Sequence, residues 1–307
     1  MNADLKNDRH SGGVLLINKP AGITSFDVVA RVRRLYGTRR VGHTGTLDPM
    51  ATGLLAVLTG DAVKIADMIT AERKEYVAEM KLGMTTDTAD ITGSVLSTCK
   101  DIPLRDEVIF CAESFIGRYM QTPPMYSAIK RGGKKLCDLA REGKSVEIEP
   151  REVNIFSLSA DGGGDTYRLT VACSKGTYIR TLCEDIGKKL GCGAVMSALC
   201  RTGVGEFSLD GAYSLEDLEK MTEDERASAL IPPERLFAEY PRIDLPDFYF
   251  RLCINGCEIY QKKIKTSYPT GTWLRVYGGG EFIGVGEIRE YPDGSAVKII
   301  ARLFHDE

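Results

Sequence analysis

The sequence predicts an α+β chain built on a mixed, largely antiparallel sheet flanked by helices, with a small β-rich unit at its C-terminal end. Three observations lead there. Strand-like and helix-like stretches are intermixed without the regular strand–helix–strand repeat of a parallel sheet. At 307 residues the chain is long enough for a large core and more than one domain. Proline density then rises at Pro232, Pro233, Pro241 and Pro246, and short segments rich in β-branched and aromatic residues follow.

Taken in order, Gly13 to Asn18 is a short apolar run expected to be a strand. Thr24 or Ser25 can cap the next helix, in which Phe26, Val29, Val32 and Tyr36 line one face until Gly37 ends it. Leu104 to Phe115 repeats the helical period through Val108 and Ala112. Thr166 to Ala172 alternates as a half-buried strand does. Ile179, Leu182, Ile186 and Leu190 mark another helix, stopped by Gly191, and Ser214-Leu215-Glu216-Asp217 resembles a capping box. Beyond the prolines, strands are expected over Thr272 to Tyr277, Phe282 to Ile288 and Ala296 to Leu303. Gly278-Gly279-Gly280 and Pro292-Asp293-Gly294 supply the turns. The expected division is therefore residues 1–238 and 239–307.

Composition narrows the function classes. Hydrophobic and charged fractions of 43% and 27% are those of an ordinary soluble protein. The N-terminus shows no signal-like apolar run, and the most apolar stretch, Gly53 to Leu58, is too short to span a membrane. Nine scattered cysteines without metal spacing read as reduced, cytoplasmic thiols. Net charge is only −3, but its distribution is uneven. From Gly13 to Gly42, Lys19, Arg31, Arg33, Arg34, Arg39 and Arg40 face Asp27 alone, a local balance of +5. Arg118 to Lys144 has the same local balance, and acid gathers instead at Glu216 to Glu225.

The chemistry concentrates in Arg40 to Leu55, where Gly42, Gly45 and Gly53 accompany His43, Thr44, Thr46 and Asp48. Asp48 precedes Pro49, which pushes its backbone toward the extended region. Two readings stay open on these residues alone. Asp48 could cap a helix with Pro49 in its first turn, or it could be an acid presented on a stiff loop to attack or stabilise a developing cation. Of three histidines, His10 and His305 sit in the tails, which leaves His43 alone in the body. A Ser-His-Asp triad could run only through His43, and a histidine-rich metal site is excluded. The loop also lacks the Gly-Lys-Ser/Thr ending of a phosphate-binding loop. Carboxylate, tyrosine, lysine and arginine are left to carry the chemistry.

The string Gly42-His43-Thr44-Gly45-Thr46-Leu47-Asp48-Pro49 through Leu55 resembles the catalytic motif of the pseudouridine synthases, specifically the bacterial tRNA pseudouridine-55 synthases of the TruB family. Other family-like segments occur in the family's order. They are Gly13 to Ser25, Lys74-Glu75-Tyr76, Gly83 to Asp90, Gln121 to Ala128 and Gly176 to Arg180. Six ordered matches span most of the chain.

The resemblance implies a pseudouridine synthase fold with a C-terminal PUA-like RNA-binding domain, and isomerisation of the T-loop uridine at tRNA position 55. It implies no cofactor and no metal. The partner is the T-arm of tRNA, with neither membrane nor protein partner, and the chain is expected to act as a monomer. Asp48 is assigned as the carboxylate beside the ribose, and Arg180 as the arginine that pairs with it. On spacing alone, Arg180 would instead bridge to Glu184 one turn on. Tyr76 matches the tyrosine that stacks on the base and handles the C5 proton. Tyr178 and Leu199 match residues lining the uracil pocket. His43 matches the histidine beside the flipped-out region, and Lys19 and Pro20 match a supporting element. Two departures stand out: Val195, where relatives often have histidine after Gly-Ala, and Cys200, where arginine is common. The alternatives are an RNA-binding or tRNA-folding module with secondary or lost catalysis, and a nucleoside hydrolase that uses Asp48 at the same C1′ carbon.

Overall fold

The structure, a computed structural model, describes residues 12–303 except 71, 72, 128 and 145, so His10 and His305 lie outside the described residues. Strand β1 (Val14–Lys19) leads into α1 (Ser25–Leu35), β2 (Val41–His43) and β3 (Thr52–Thr59). After β4 (Arg73–Leu82) comes the hairpin of β5 (Met84–Thr86) and β6 (Val95–Thr98), then α2 (Arg105–Glu113) and β7 (Gly117–Gln121). A small hairpin of β8 (Lys130–Arg131) and β9 (Lys134–Lys135) precedes α3 (Leu136–Arg141). The long strands β10 (Arg151–Gly163) and β11 (Thr166–Ser174) are followed by α4 (Ile179–Leu190) and β12 (Ala194–Val204). Then come β13 (Phe207–Ser208), α5 (Leu215–Lys220) and α6 (Glu223–Ser228).

These strands form a nine-stranded sheet whose main path runs β1-β3-β12-β4-β11-β10-β7, with β2 joined to β3 and β13 to β12. Every pairing is antiparallel except β12 with β3. The sheet is therefore mixed and largely antiparallel, as expected.

Local signals explain the helices on its face. Thr24 caps α1 in a reciprocal box with Asp27, and Gly37 follows the helix end at φ +61°. Ser214 caps α5 by accepting from the Asp217 N–H at 3.0 Å. Gly191 closes α4 in the left-handed region. One expectation fails: Phe26 is 65% exposed, and Val28, Val29 and Val32 form the buried stripe of α1 instead. Phe26 lies to one side of the stripe that Ser25, Val28, Val29 and Val32 form, and its ring carries the Arg33 guanidinium at 5.7 Å.

The C-terminal segment forms its own sheet. Its elements are β14 (Arg242–Leu245), α7 (Asp247–Ile254), β15 (Ile259–Tyr260), α8 (Gln261–Ile264), β16 (Trp273–Gly278), β17 (Glu281–Tyr291) and β18 (Gly294–Arg302). The strand order is β14-β16-β17-β18-β15. Strands β1 and β3 are packed on both sides, which explains why their sequences read as continuous apolar runs. Leu15, Ile17, Leu55 and Val57 join the helices' core. Val14, Leu16, Leu54, Ala56 and Leu58 meet Phe237, Val285, Ala301 and Leu303. The proline-rich segment is itself folded, with Pro233 and Phe237 buried in a 3₁₀ turn. No helix among the described residues is long and apolar enough to cross a membrane.

Gly53 shows why the loop into β3 needs glycine. Its φ is +100°, and a Cβ there would lie 2.3 Å from the Arg201 carbonyl oxygen of β12. Gly53→Ala is expected to lower unfolding stability by about 3 kcal/mol, from backbone strain plus a clash with immovable main chain. Urea denaturation of both proteins checks this, and an unchanged midpoint refutes it.

Candidate active site

Four separated segments meet at the guanidinium of Arg180. It projects from the first turn of α4 and is 4% exposed. Its Nε lies 2.9 Å from Asp48 Oδ2 in an ion pair, and its Nη2 donates a single hydrogen bond to Asp48 Oδ1 at 3.3 Å. Nη2 also donates to the Tyr126 carbonyl at 2.8 Å and Nη1 to the Thr88 carbonyl at 3.2 Å. The second carboxylate, Asp90, lies 3.6 Å from Nη1. The alternative bridge from Arg180 to Glu184 does not form, because Glu184 pairs with Lys188 at 2.9 Å.

Asp48 is not a helix cap. Residues 48–51 form a turn, with the Ala51 N–H donating to the Asp48 carbonyl at 3.1 Å, and the chain then enters β3. Ser25 holds the preceding residue: its hydroxyl donates to the Leu47 carbonyl at 3.1 Å and accepts from the Leu47 N–H at 2.9 Å. The Asp48 side chain keeps 35% of its surface exposed while Arg180 keeps 5%, so a ligand can reach the acid but not its partner. Burial raises the Asp48 pKa. Arg180 opposes the rise and Asp90 adds to it, and the net direction stays upward.

Tyr76 sits in β4, opposite Val171 of β11 and Arg201 of β12, and is 7% exposed. Burial pushes its phenol pKa up, while a hydrogen bond from Arg201 pulls the other way. Arg201 is 1% exposed and donates from Nε to the Leu54 carbonyl at 2.7 Å and from Nη2 to the Gly45 carbonyl at 3.1 Å. It thereby ties the glycine-rich loop to Tyr76. Leu199 is buried in β12 opposite Ala78, two residues along β4 from Tyr76. Tyr178 is the N-cap residue of α4, and its half-buried ring carries the Arg151 guanidinium at 5.1 Å.

His43 ends β2, and its buried Nδ1 has no hydrogen-bond partner among the described residues. Burial and the charge of Arg201 lower its pKa, which keeps the imidazole neutral. Lys19 is fully buried and spends its ammonium on three carbonyls: Pro20 at 2.9 Å, Ile23 at 2.8 Å and Pro49 at 3.2 Å. Desolvation lowers its pKa to about 8. Pro20 joins the site only through this knot of carbonyls. Of the two departures, both in β12, Val195 is fully buried and Cys200 is half-buried.

Sequence reasoning gave no role to Arg201, Asp90 or Gln121. Asp90 carried a local signal: its carboxylate accepts from the Thr88 hydroxyl, the Thr92 N–H and the Thr92 hydroxyl, a pattern set by nearby threonines. Arg201 and Gln121 act through cross-strand neighbours and carried none. The first basic run is partly consumed inside the fold. Arg40 and Lys64 lie 2.7 and 3.0 Å from the fully buried Asp61, whereas Arg34 and Arg39 are exposed. In the second run, the side chains of Lys130, Lys135 and Arg141 lie outside the described residues.

The arrangement offers a reachable carboxylate with a fixed counter-ion and a buried phenol close enough to feel that carboxylate's charge. Comparison with known proteins shows the family of the chain. Residues 33–179 match the family described as TruB family pseudouridylate synthase (N terminal domain), and residues 180–238 match the tRNA pseudouridylate synthase B C-terminal domain. The chain is 45% identical over 278 residues to the tRNA pseudouridine synthase B of Clostridium tetani, covering 90% of this chain and 95% of that one. It is 44% identical over 279 residues to the protein of the same name from Dechloromonas aromatica, covering 90% and 91%. Among solved structures, a Cbf5-Nop10-Gar1 complex contains a chain that superposes with a TM-score of 0.69 at 25% identity, over 95% of this chain and 85% of that one.

Lys19→Met should cost about 2–4 kcal/mol of unfolding stability, because the part-buried Pro20 and Ile23 carbonyls lose the donor that satisfies them. Chemical denaturation checks this, and a loss below about 0.5 kcal/mol would remove Lys19 from its supporting role.

Proposed function

The chain belongs to the TruB family of pseudouridylate synthases and is a tRNA pseudouridine synthase, and from that premise we propose that it isomerises the T-loop uridine at position 55. The observation that carries the site assignment is Asp48, one-third exposed, ion-paired and hydrogen-bonded to a buried arginine.

The reaction breaks the bond from ribose C1′ to uracil N1, turns the detached base and rejoins it through C5. Atoms are conserved, and no redox step occurs. A uridine stacked in RNA is out of reach, so the base is extruded into the pocket. Asp48 then stands beside C1′, where its anion stabilises or captures the positive charge that develops as the base departs. Arg180 fixes which carboxylate oxygens face the ribose. Tyr76 stacks on the uracil, and its hydroxyl, hydrogen-bonded by Arg201, handles the proton that leaves C5 while N1 takes up one from solvent, so that protons balance. Tyr178 and Leu199 wall the base, and neutral His43 occupies the space that the base vacates.

The division of labour follows the two sheets. Residues 1–238 hold the whole reaction centre. Residues 239–307 serve as a PUA-like RNA-binding unit through the exposed Lys262, Lys263 and Lys265, of which Lys262 also donates to the Asp293 carbonyl, while Arg275 and Lys298 are half-buried and bonded to the Tyr240 and Gly256 carbonyls. Such phosphate contacts set register and affinity. The protein acts on free tRNA in the cytoplasm as a monomer, recognising the T-arm.

The test is incubation with unmodified tRNA tritiated at uridine C5. Label release from position 55 is expected, whereas free uracil indicates hydrolysis and neither product indicates a binding module. Asp48→Asn should lower turnover by about a thousandfold or more while the tRNA Kd stays within about threefold. Turnover within tenfold of wild type removes Asp48 from the reaction. Tyr76→Phe keeps the stacking ring and loses the hydroxyl, so the single-turnover rate should fall about a hundredfold with little change in affinity. Weakened affinity at an unchanged rate would contradict the proton-handling role.

A further inference from the structure

Tyr178 occupies a position where helices ordinarily place serine, threonine, aspartate or asparagine. It makes no side-chain cap hydrogen bond, and its backbone at φ −100° and ψ 113° is extended. Something else must therefore fix its orientation.

Two residues do so from the sheet edge. Gln121 is fully buried at the end of β7. Its Oε1 accepts from the Tyr178 N–H at 2.8 Å and its Nε2 donates to the Tyr178 carbonyl at 3.0 Å, so one amide grips both backbone groups of one residue. Arg151 faces Gln121 directly in the β7–β10 register. Its guanidinium donates to the Gly176 carbonyl and lies 5.1 Å from the Tyr178 ring centroid. Gly176 leaves that slot open: a Cβ there would lie 3.2 Å from Arg151 Nη2. The Asn154 N–H, also on β10, donates to the Ser174 hydroxyl at 2.9 Å. The turn from Ser174 to Tyr178 is thus pinned to the β7–β10 edge at three points, and Arg180 follows two residues later.

We propose that Gln121 and Arg151 are positioning residues that clamp Tyr178, Gln121 through its backbone and Arg151 through its ring, so that the pocket wall is set before substrate enters. The inference rests on the reading of Tyr178 as a wall of the uracil pocket. A cation on one face of a phenol orients the ring and leaves the opposite face for a base. Catalysis is sensitive to such placement, because a pocket wall that moves by an ångström changes the geometry of attack.

A double-mutant cycle on the full-length protein tests the clamp, using C5-tritiated tRNA under single-turnover conditions together with the tRNA Kd. Arg151→Met is expected to slow the rate about tenfold while the Kd stays within about threefold. Combined with Tyr178→Leu, it should add no further loss, because the group it positions is already gone. Arg151→Lys keeps a cation but loses the planar fork, so a smaller loss of about threefold with the same non-additivity is expected. This variant carries the test if Arg151→Met unfolds in circular dichroism. Gln121→Glu, which cannot donate to the Tyr178 carbonyl, should repeat the non-additive pattern. Additive losses overturn the clamp, as does an Arg151 effect confined to Kd with a flatter salt slope, which would make Arg151 a phosphate contact. If Tyr178→Leu alone is harmless, the reading of Tyr178 fails instead, and the two failures are distinct.

Discussion

A guanidinium with almost no access to water has to be matched by acceptors on every side, and Arg180 imposes that requirement on the whole synthase unit. Leaving a buried charge unpaired costs several kcal/mol, far more than a loop's conformational preference. The Asp48 carboxylate, the Asp90 carboxylate and the Thr88 and Tyr126 carbonyls answer it. They come from segments 132, 90, 92 and 54 positions away in the chain, so none can be placed correctly unless the sheet and α4 are already in register. Three of the family-like motifs supply acceptors to this one centre: Asp48, Thr88 with Asp90, and Tyr126.

A second arginine performs the corresponding task one strand away. Arg201 fastens the Gly45 carbonyl of the glycine-rich loop and the Leu54 carbonyl of β3, and it reaches the Tyr76 hydroxyl. Gly53 allows β3 to pass within van der Waals contact of the Arg201 backbone. Lys19 closes the far side of the loop through the Pro49 carbonyl. The loop that carries Asp48 is therefore held by cations on both flanks. Its glycines provide close approach, and its rigidity comes from charge-assisted hydrogen bonds.

This division explains what was legible in the sequence. The capped helices, the alternating strands and the turn signals of the C-terminal sheet depend on neighbours within four residues, and they were readable. Phe26 was misread because its apolar ring was placed on the stripe of α1, whereas the buried stripe runs through Ser25, Val28, Val29 and Val32 and leaves Phe26 to one side. Asp48-Pro49 resembled a helix start because an acid before proline is a cap by local rules. Only the pairing of residues 52–59 with β1 and β12 turns that segment into a strand. Arg201, Asp90 and Gln121 gain their roles through cross-strand register or tertiary approach. Asp48 and Arg180 were found through resemblance, since spacing alone favoured an Arg180–Glu184 bridge.

The electrostatic state of Asp48 follows from the same geometry. Burial and the neighbouring Asp90 push its carboxyl toward the protonated form, while Arg180 and Lys19 draw it back. A substrate that fills the remaining exposed third of the side chain would remove more water, which strengthens both tendencies. Coulomb attraction to a fixed guanidinium grows as the local dielectric falls. The desolvation penalty is also relieved by any positive charge arriving at the open face. Only one side of the carboxylate is open, because the other is occupied by Arg180. A cation placed at that face thus meets an anion whose partner cannot move away, and the acid is best satisfied when positive charge lies there.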